Sequence, residues 1–206
     1  MSVVYVVFGA LVAGFLWLVG GVVRIGKVSP GERIEGRENA ALMLVDLQSV
    51  FWNEGPYSEA DKQAVATVIL GEVQAAKAKG TPVIALRQEW SLPATKVIAR
   101  LTMKGQAVAG TSGTEMAAPF VGYADHELVK RVQDGFETGA LDELLAELNV
   151  GALRIVGLDY NYCVAKTALA AVRRGYDVTV VEPGVLAVQN MAKTRADLQR
   201  QGIALA

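Results

Sequence analysis

The stretch Ala152-Leu-Arg-Ile-Val-Gly-Leu158 runs through Asp159-Tyr-Asn-Tyr162 into Cys163-Val-Ala-Lys-Thr-Ala-Leu-Ala-Ala-Val-Arg-Arg174. Its first part is a short apolar run rich in branched residues, as a buried strand would be. Its last part has apolar residues at helical spacing. A strand feeding a helix is half of a βα unit, so this stretch sets the expectation for the fold. The chain's only cysteine, Cys163, sits at the junction. There it faces the positive end of a helix dipole, a field that favours the nucleophilic thiolate. A lone cysteine also serves as a small buried hydrophobe, and position alone leaves both readings open.

The same rhythm extends in both directions. Ala40-Ala-Leu-Met-Leu-Val-Asp46 is a continuous apolar run closed by a carboxylate, as in a parallel strand covered on both faces. Ser58 to Asp61 starts a helix whose apolar positions are Val65, Val68, Ile69, Val73 and Ala76, stopped at Gly80. Further strands are expected at Thr81–Arg87, Glu127–Lys130, Tyr176–Glu182 and Ile203–Ala206. Leu92 to Gly113 reads as a short helix and a Gly-rich loop. Leu141, Leu144, Leu145 and Leu148 mark another helix face, and Met191 to Gln201 a last helix. The prediction is an α/β fold: a three-layer αβα sandwich around a mostly parallel, Rossmann-like sheet of about six strands.

Val3 to Val23 holds 21 residues without a charge. That length matches the roughly 20 residues a helix needs to cross a bilayer. A buried core helix is possible, but the segment is long and apolar on all faces, and a signal peptide would carry a basic start and a small-x-small cleavage site. The segment is therefore expected to be a transmembrane anchor over 1–25, followed by a polar linker over 26–39 and a single domain over 40–206. Arg24, Lys27, Arg33 and Arg37 all follow the span. The positive-inside rule then puts the domain on the cytoplasmic side of a single-pass anchor. With 20 Lys+Arg against 21 Asp+Glu, the chain shows no electrostatic footprint for nucleic acid. One cysteine excludes an internal disulfide.

In open parallel sheets, ligands bind beyond the carboxyl ends of the strands. That rule selects Asp46, Arg87, Lys130, Cys163 and Glu182, each also readable as a turn cap or a surface charge. A carboxylate, an ammonium and a thiol at one rim suit acyl transfer: the thiol attacks a carbonyl, the carboxylate takes its proton, and the cation holds developing charge. The only histidine, His126, precedes the third strand on the side away from the rim, so Asp46 is the better base.

Val45-Asp46-Leu47-Gln48 with Phe51, Gly110-Thr-Ser-Gly-Thr-Glu115, Lys130 with Phe136, Thr138 and Leu141, Gly157-Leu-Asp-Tyr-Asn-Tyr-Cys163-Val164, and Thr167, Ala171 and Gly175-Tyr176 occur in order from about Ala40 to Glu182. Together they resemble the isochorismatase-like cysteine hydrolase superfamily, which includes nicotinamidases and N-carbamoylsarcosine amidases. The resemblance implies a triad of Asp46, Lys130 and Cys163. It also implies a cis peptide at Leu158–Asp159 and an oxyanion hole from the backbone N–H groups of Asp159 and Cys163. Gln48, Phe51 and Trp90 are candidate pocket residues, with Trp52 a further aromatic. The implied activity is hydrolysis of a C–N bond in a small amide, imide or ureido compound through a Cys163 acyl-thioester. A homo-oligomer is within the family's habits.

Three departures qualify this. Nicotinamidases carry an Asp-x-His and a second His as a metal site. Here the segment after the second strand reads Arg87-Gln-Glu-Trp-Ser91, so no metal and no other cofactor is expected. True isochorismatases lack the nucleophilic cysteine that this chain has. Asp159 stands where the family carries a small residue or threonine, and it could raise the thiol pKa or orient a substrate. Two other function classes compete: a non-catalytic binding or scaffold protein that keeps the fold, and a thiol redox sensor, for which the chain offers no resolving cysteine.

Overall fold

The computed structural model describes residues 2–206. Met1, where the expected anchor begins, lies outside the described residues, as do the side chains of Ser2 and Val3. The helices are α1 (Ser2–Gly26), α2 (Ser49–Trp52), α3 (Glu59–Ala78), α4 (Pro93–Thr102), α5 (Ala140–Glu147), α6 (Ala165–Arg173) and α7 (Ala192–Arg200). The strands are β1 (Asn39–Val45), β2 (Val83–Gln88), β3 (His126–Lys130), β4 (Val150–Gly157), β5 (Asp177–Val185) and β6 (Ala204–Leu205). They form one six-stranded sheet in the order β3-β2-β1-β4-β5-β6, with every pairing parallel. The α/β fold is as the sequence rhythm implies. The chain winds one way from β1 to β3 and the other way from β4 to β6, so a crevice opens between β1 and β4 at the carboxyl edge.

The continuous apolar run of β1 has a simple cause. Ala41, Met43 and Val45 face one helical layer with Leu141, Leu145, Ala168, Ala171 and Leu198 of α5, α6 and α7. Leu42 and Leu44 face the other with Val65, Ile69, Val73 and Ala76 of α3. Both faces are covered, so neither parity of the strand is polar. Each fully buried aliphatic side chain contributes roughly 1.5–3 kcal/mol. Ser58 caps α3 by accepting from the Asp61 N–H, as its spacing implies.

Near Cys163 the sequence expectation needs a correction. Regular α6 begins at Ala165, and Cys163 lies in a wider helical turn, Tyr160–Val164, that precedes it. The apolar spacing runs on through this turn, which is why it reads as the first turn of the helix itself.

The apolar side chains of α1 from Val4 to Val23 are mostly exposed. Val4–Gly26 reaches a mean hydropathy of 2.4, with 6% of that stretch buried. Its last turns are seated on the domain. Ile25 is buried with Trp90, Ile98 and Ala99, and Leu18 packs against the same cluster. A Cβ at Gly21 would stand 2.7 Å from the Ala94 Cβ and 2.9 Å from Ile98 Cδ1, so glycine permits the close crossing of α1 and α4. Gln133 N–H donates to Ile25 O, and Arg24 pairs with Glu137 at 3.0 Å. Residues 27–38 carry no helix or strand, yet they are tied down. Ser29 N–H donates to Asp134 Oδ2 at 2.6 Å, the Arg174 guanidinium donates to Ser29 and Pro30 oxygens, and Ile34 N–H donates to Arg174 O.

Candidate active site

Three strand ends converge at the crevice. Asp46 follows β1 directly, in a left-handed conformation at φ 54° that turns its side chain off the strand line. Lys130 is the last residue of β3, and Cys163 lies in the turn after β4. Lys130 Nζ stands 2.9 Å from Asp46 Oδ2 and donates to Cys163 Sγ at 3.2 Å. It also donates to Gln88 Oε1 at 2.6 Å and Val132 O at 3.4 Å. The structure therefore brings together the three residues that the strand-end rule and the motifs select. It adds a fourth, Gln88, which the sequence reading passes over in favour of its neighbour Arg87. Alternation along β2 carries the missed signal. Ile84 and Leu86 face the α5/α6 layer, and Gln88 continues their parity.

All three triad side chains are nearly inaccessible: Asp46 is 2% exposed, Lys130 1% and Cys163 9%. Burial raises the Asp46 pKa above its ordinary value, against the pull of Lys130. The Lys130 pKa is also raised, because the two anionic partners outweigh its own desolvation. Burial first, and the Asp46 charge second, push the Cys163 thiol upward. Burial and the Asp46 carboxylate thus oppose the helix-dipole field that favours the thiolate. Asp46 Oδ2 is held by Lys130, while Oδ1 has no hydrogen-bond partner among the described residues. A buried carboxylate oxygen without a donor is available to take a proton.

The loop bearing Cys163 is fixed to both neighbouring strands. A Cβ at Gly157 would meet Val45 O at 2.1 Å, so only glycine lets β4 approach β1 this closely. Leu158 N–H then donates to Val45 O, Leu186 N–H to Gly157 O and Tyr160 N–H to Leu186 O. The Leu158–Asp159 peptide is cis. Neither the N–H of Asp159 nor that of Cys163 donates to an acceptor outside the turn, among the described residues. The Asp159 carboxylate is fully engaged. Oδ1 accepts from Asn161 N–H at 2.8 Å, and Oδ2 accepts from Val188 N–H at 2.6 Å and from the Tyr57 hydroxyl at 3.4 Å. Tyr57, also missed in the sequence, has its own pKa raised by burial and by the charges of Asp159, Cys163 and Asp46. It borders a cleft of about 530 Å³ beside the rim, formed with Leu186, Asn190 and Arg195.

The remaining candidates fall elsewhere. Gln48 is fully buried; its amide donates to Gln88 O and Thr114 O and accepts from Gln88 N–H. It holds the end of β2 rather than lining a cleft. Phe51 is partly buried, and Trp90 is buried in the apolar cluster that receives Ile25. Trp52 packs edge-on against Phe120 at 4.7 Å. Arg87 is paired with Glu89 and Glu127, and Glu182 accepts from Tyr160 and Arg195. His126 begins β3, at the opposite edge of the sheet from Lys130.

A family profile, the isochorismatase domain, matches residues 40–201. No curated protein sequence matches the chain. Among solved structures, a pyrazinamidase of Pyrococcus horikoshii in complex with zinc is 24% identical, covering 82% of this chain and 99% of its own, at a TM-score of 0.69. N-carbamoylsarcosine amidase from Thermoplasma acidophilum is 22% identical over 82% and 95%, at 0.70. An isochorismatase family protein from Desulfovibrio vulgaris is 26% identical over 81% and 93%, at 0.69. The zinc of the first of these has no counterpart in this donor set. Among the described residues no three His, Cys, Asp or Glu side chains cluster to hold a metal ion. The end of β2 presents the Arg87 cation, already paired with two glutamates. The residues do not fit a metal.

Proposed function

The chain belongs to the isochorismatase domain family, and on that premise we propose that it is a membrane-anchored cysteine hydrolase of the amidase type, cleaving a C–N bond in a small amide, imide or ureido compound. Cys163 is the nucleophile, Asp46 the proton carrier and Lys130 the cation that holds both. One observation carries the reading: a single buried ammonium lies 2.9 Å from a carboxylate and 3.2 Å from a thiol at the carboxyl edge of a parallel sheet. The amidase assignment follows the structural relatives that bear that name.

The chemistry follows from the atoms in place. Asp46 Oδ1 takes the thiol proton as Sγ bonds to the carbonyl carbon. The carbonyl oxygen becomes an oxyanion received by the Asp159 and Cys163 N–H groups. The oxyanion collapses, the C–N bond breaks, and the leaving nitrogen takes the proton from Asp46. Asp46 then takes a proton from water as its oxygen attacks the thioester. The C–S bond breaks and the sulfur recovers its proton. Lys130 stays charged throughout and keeps the Asp46 carboxylate aimed at the sulfur.

The exposed apolar surface of α1 supports the anchor, and the basic residues after it support a cytoplasmic orientation of the domain. Two measurements test the proposal. Full-length protein is screened for hydrolysis of a panel of small amides, imides and ureido compounds, by ammonia release and by chromatography of the acid product, with Cys163→Ala as control. Turnover in the wild type alone is expected; no turnover of any compound, or equal turnover in the variant, overturns the hydrolase reading. Alkaline carbonate extraction of membranes leaves the chain in the pellet if α1 spans the bilayer, and its recovery in the supernatant overturns the anchor.

A further inference from the structure

Resting on the anchor reading above, we infer that α4 is a second membrane contact: it lies along the bilayer surface beside α1 and binds anionic phospholipid headgroups. The geometry sets the depth. The uncharged run Val3 to Val23 is 21 residues, about 31 Å of helix, close to the thickness of a hydrocarbon core of roughly 30 Å. Gly21, where α4 crosses α1 in van der Waals contact with Ala94 and Ile98, is two residues from the end of that run. At about 1.5 Å per residue this crossing point is roughly 3 Å inside the apolar boundary. When α1 spans, α4 is therefore held at the boundary between acyl chains and headgroups. The bound segment from Ser29 to Arg37 and the Arg24–Glu137 pair leave no flexible tether to lift it away.

The surface of α4 matches that environment. From Ser91 to Thr114 there is no acidic residue, and the basic residues are Lys96, Arg100 and Lys104. Lys96 and Arg100, four apart, lie on one side of α4, and Lys104 follows two residues past its end. None of the three takes part in an ion pair among the described residues. Beside them, Val97 and Leu101 form a neighbouring stripe, and Leu101 is 72% exposed. Thr95, Ile98 and Ala99 take the buried face. An apolar stripe flanked by unpaired cations, next to an inserted helix, fits the boundary between acyl chains and anionic headgroups. Because α4 follows β2 and shares its apolar cluster with Trp90 and Val50, this contact puts the catalytic rim beside the bilayer surface.

The test uses full-length protein, in a Cys163→Ala background, reconstituted into bilayers of phosphatidylcholine alone or with phosphatidylserine. A nitroxide is placed at Leu101→Cys, and in a separate sample at Leu11→Cys, and collisions with a water-soluble and a lipid-soluble relaxation agent are compared. The Leu11 label is expected to meet only the lipid-soluble agent in both bilayers. The Leu101 label is expected to lose access to the water-soluble agent when phosphatidylserine is present. Replacing Lys96, Arg100 and Lys104 by Gln should restore that access, with headgroup binding weakening roughly fivefold per residue removed. A buried Leu11 label with a water-accessible Leu101 label in both bilayers overturns the α4 contact and leaves the anchor standing. Equal protection of Leu101 in both bilayers overturns headgroup recognition. A water-accessible Leu11 label overturns the anchor and the contact together.

Discussion

Asp46 and Asp159 are two buried carboxylates at the same rim, one after β1 and one after β4, and burial raises the pKa of both. They differ in what touches them. Asp159 has both oxygens engaged by two backbone N–H groups and a tyrosine hydroxyl, which fasten the turn before Cys163 and the loop at Val188. Asp46 has one oxygen on Lys130 and the other without a donor among the described residues. A satisfied carboxylate holds a loop; a carboxylate with an empty lone pair next to a thiol is positioned to move a proton. The contrast also answers what Asp159 is doing at a position where the family carries a smaller residue. Its carboxylate is spent on fastening the turn and the Val188 loop.

The account breaks most visibly at the nucleophile. Cys163→Ala should lower kcat/KM by roughly 10⁴-fold or more with little loss of fold, read by ammonia release and thermal unfolding. Next comes Asp46→Asn, expected to cost roughly 10³-fold or more in kcat/KM. It also leaves the Lys130 charge buried without its counter-ion, at a cost of about 3 kcal/mol in unfolding free energy. In the wild type, activity needs Asp46 ionised. Its raised pKa moves the acid limb of kcat/KM above the 3.8 of an ordinary aspartate, and activity falls as pH drops through that limb.

Gln88→Leu removes the shortest contact of Lys130 and should lower kcat by about tenfold, with KM changed less. Asp159→Asn is the informative partner of Asp46→Asn. One oxygen acceptor becomes an amide donor facing a backbone N–H. The expected result is about 1–3 kcal/mol of stability lost in denaturant titration, with a smaller drop in kcat than Asp46→Asn gives. If Asp159→Asn abolishes turnover while stability holds, the division of labour between the two carboxylates is wrong. Tyr57→Phe is expected to be the mildest change, within about 0.5 kcal/mol in stability, because its hydrogen bond is long and partly solvated.

Much of this rim is legible in the sequence, because strand ends are where apolar runs stop and charges begin. Asp46, Lys130 and the loop of Cys163 all announce themselves that way. Gln88 does not, since it sits beside a more conspicuous arginine. Only the alternation of Ile84, Leu86 and Gln88 separates the residue that faces the triad from the one that pairs with surface glutamates. Two features are hidden for other reasons. The wide turn from Tyr160 to Val164 has the same apolar spacing as the helix it precedes. The seam between α1 and α4 is invisible because α1 is apolar on every side, and a packed stripe and a lipid-facing stripe have the same composition. For the same reason the ties of residues 27–38 to Asp134 and Arg174 cannot be read from a polar, Gly-containing segment.

The central claim is that Cys163 rests as a thiol and owes its activation to Asp46. Alkylation of Cys163 by iodoacetamide across pH, in the wild type and in Asp46→Asn, tests it most directly. The account predicts slow alkylation of the wild type near neutral pH, rising only well above the range of an exposed thiol. In Asp46→Asn the opposing charge is gone and Lys130 remains, so the thiolate should form at lower pH and alkylation should speed up even as turnover collapses. Fast alkylation of the wild type at neutral pH, or alkylation and turnover falling together in Asp46→Asn, would contradict it.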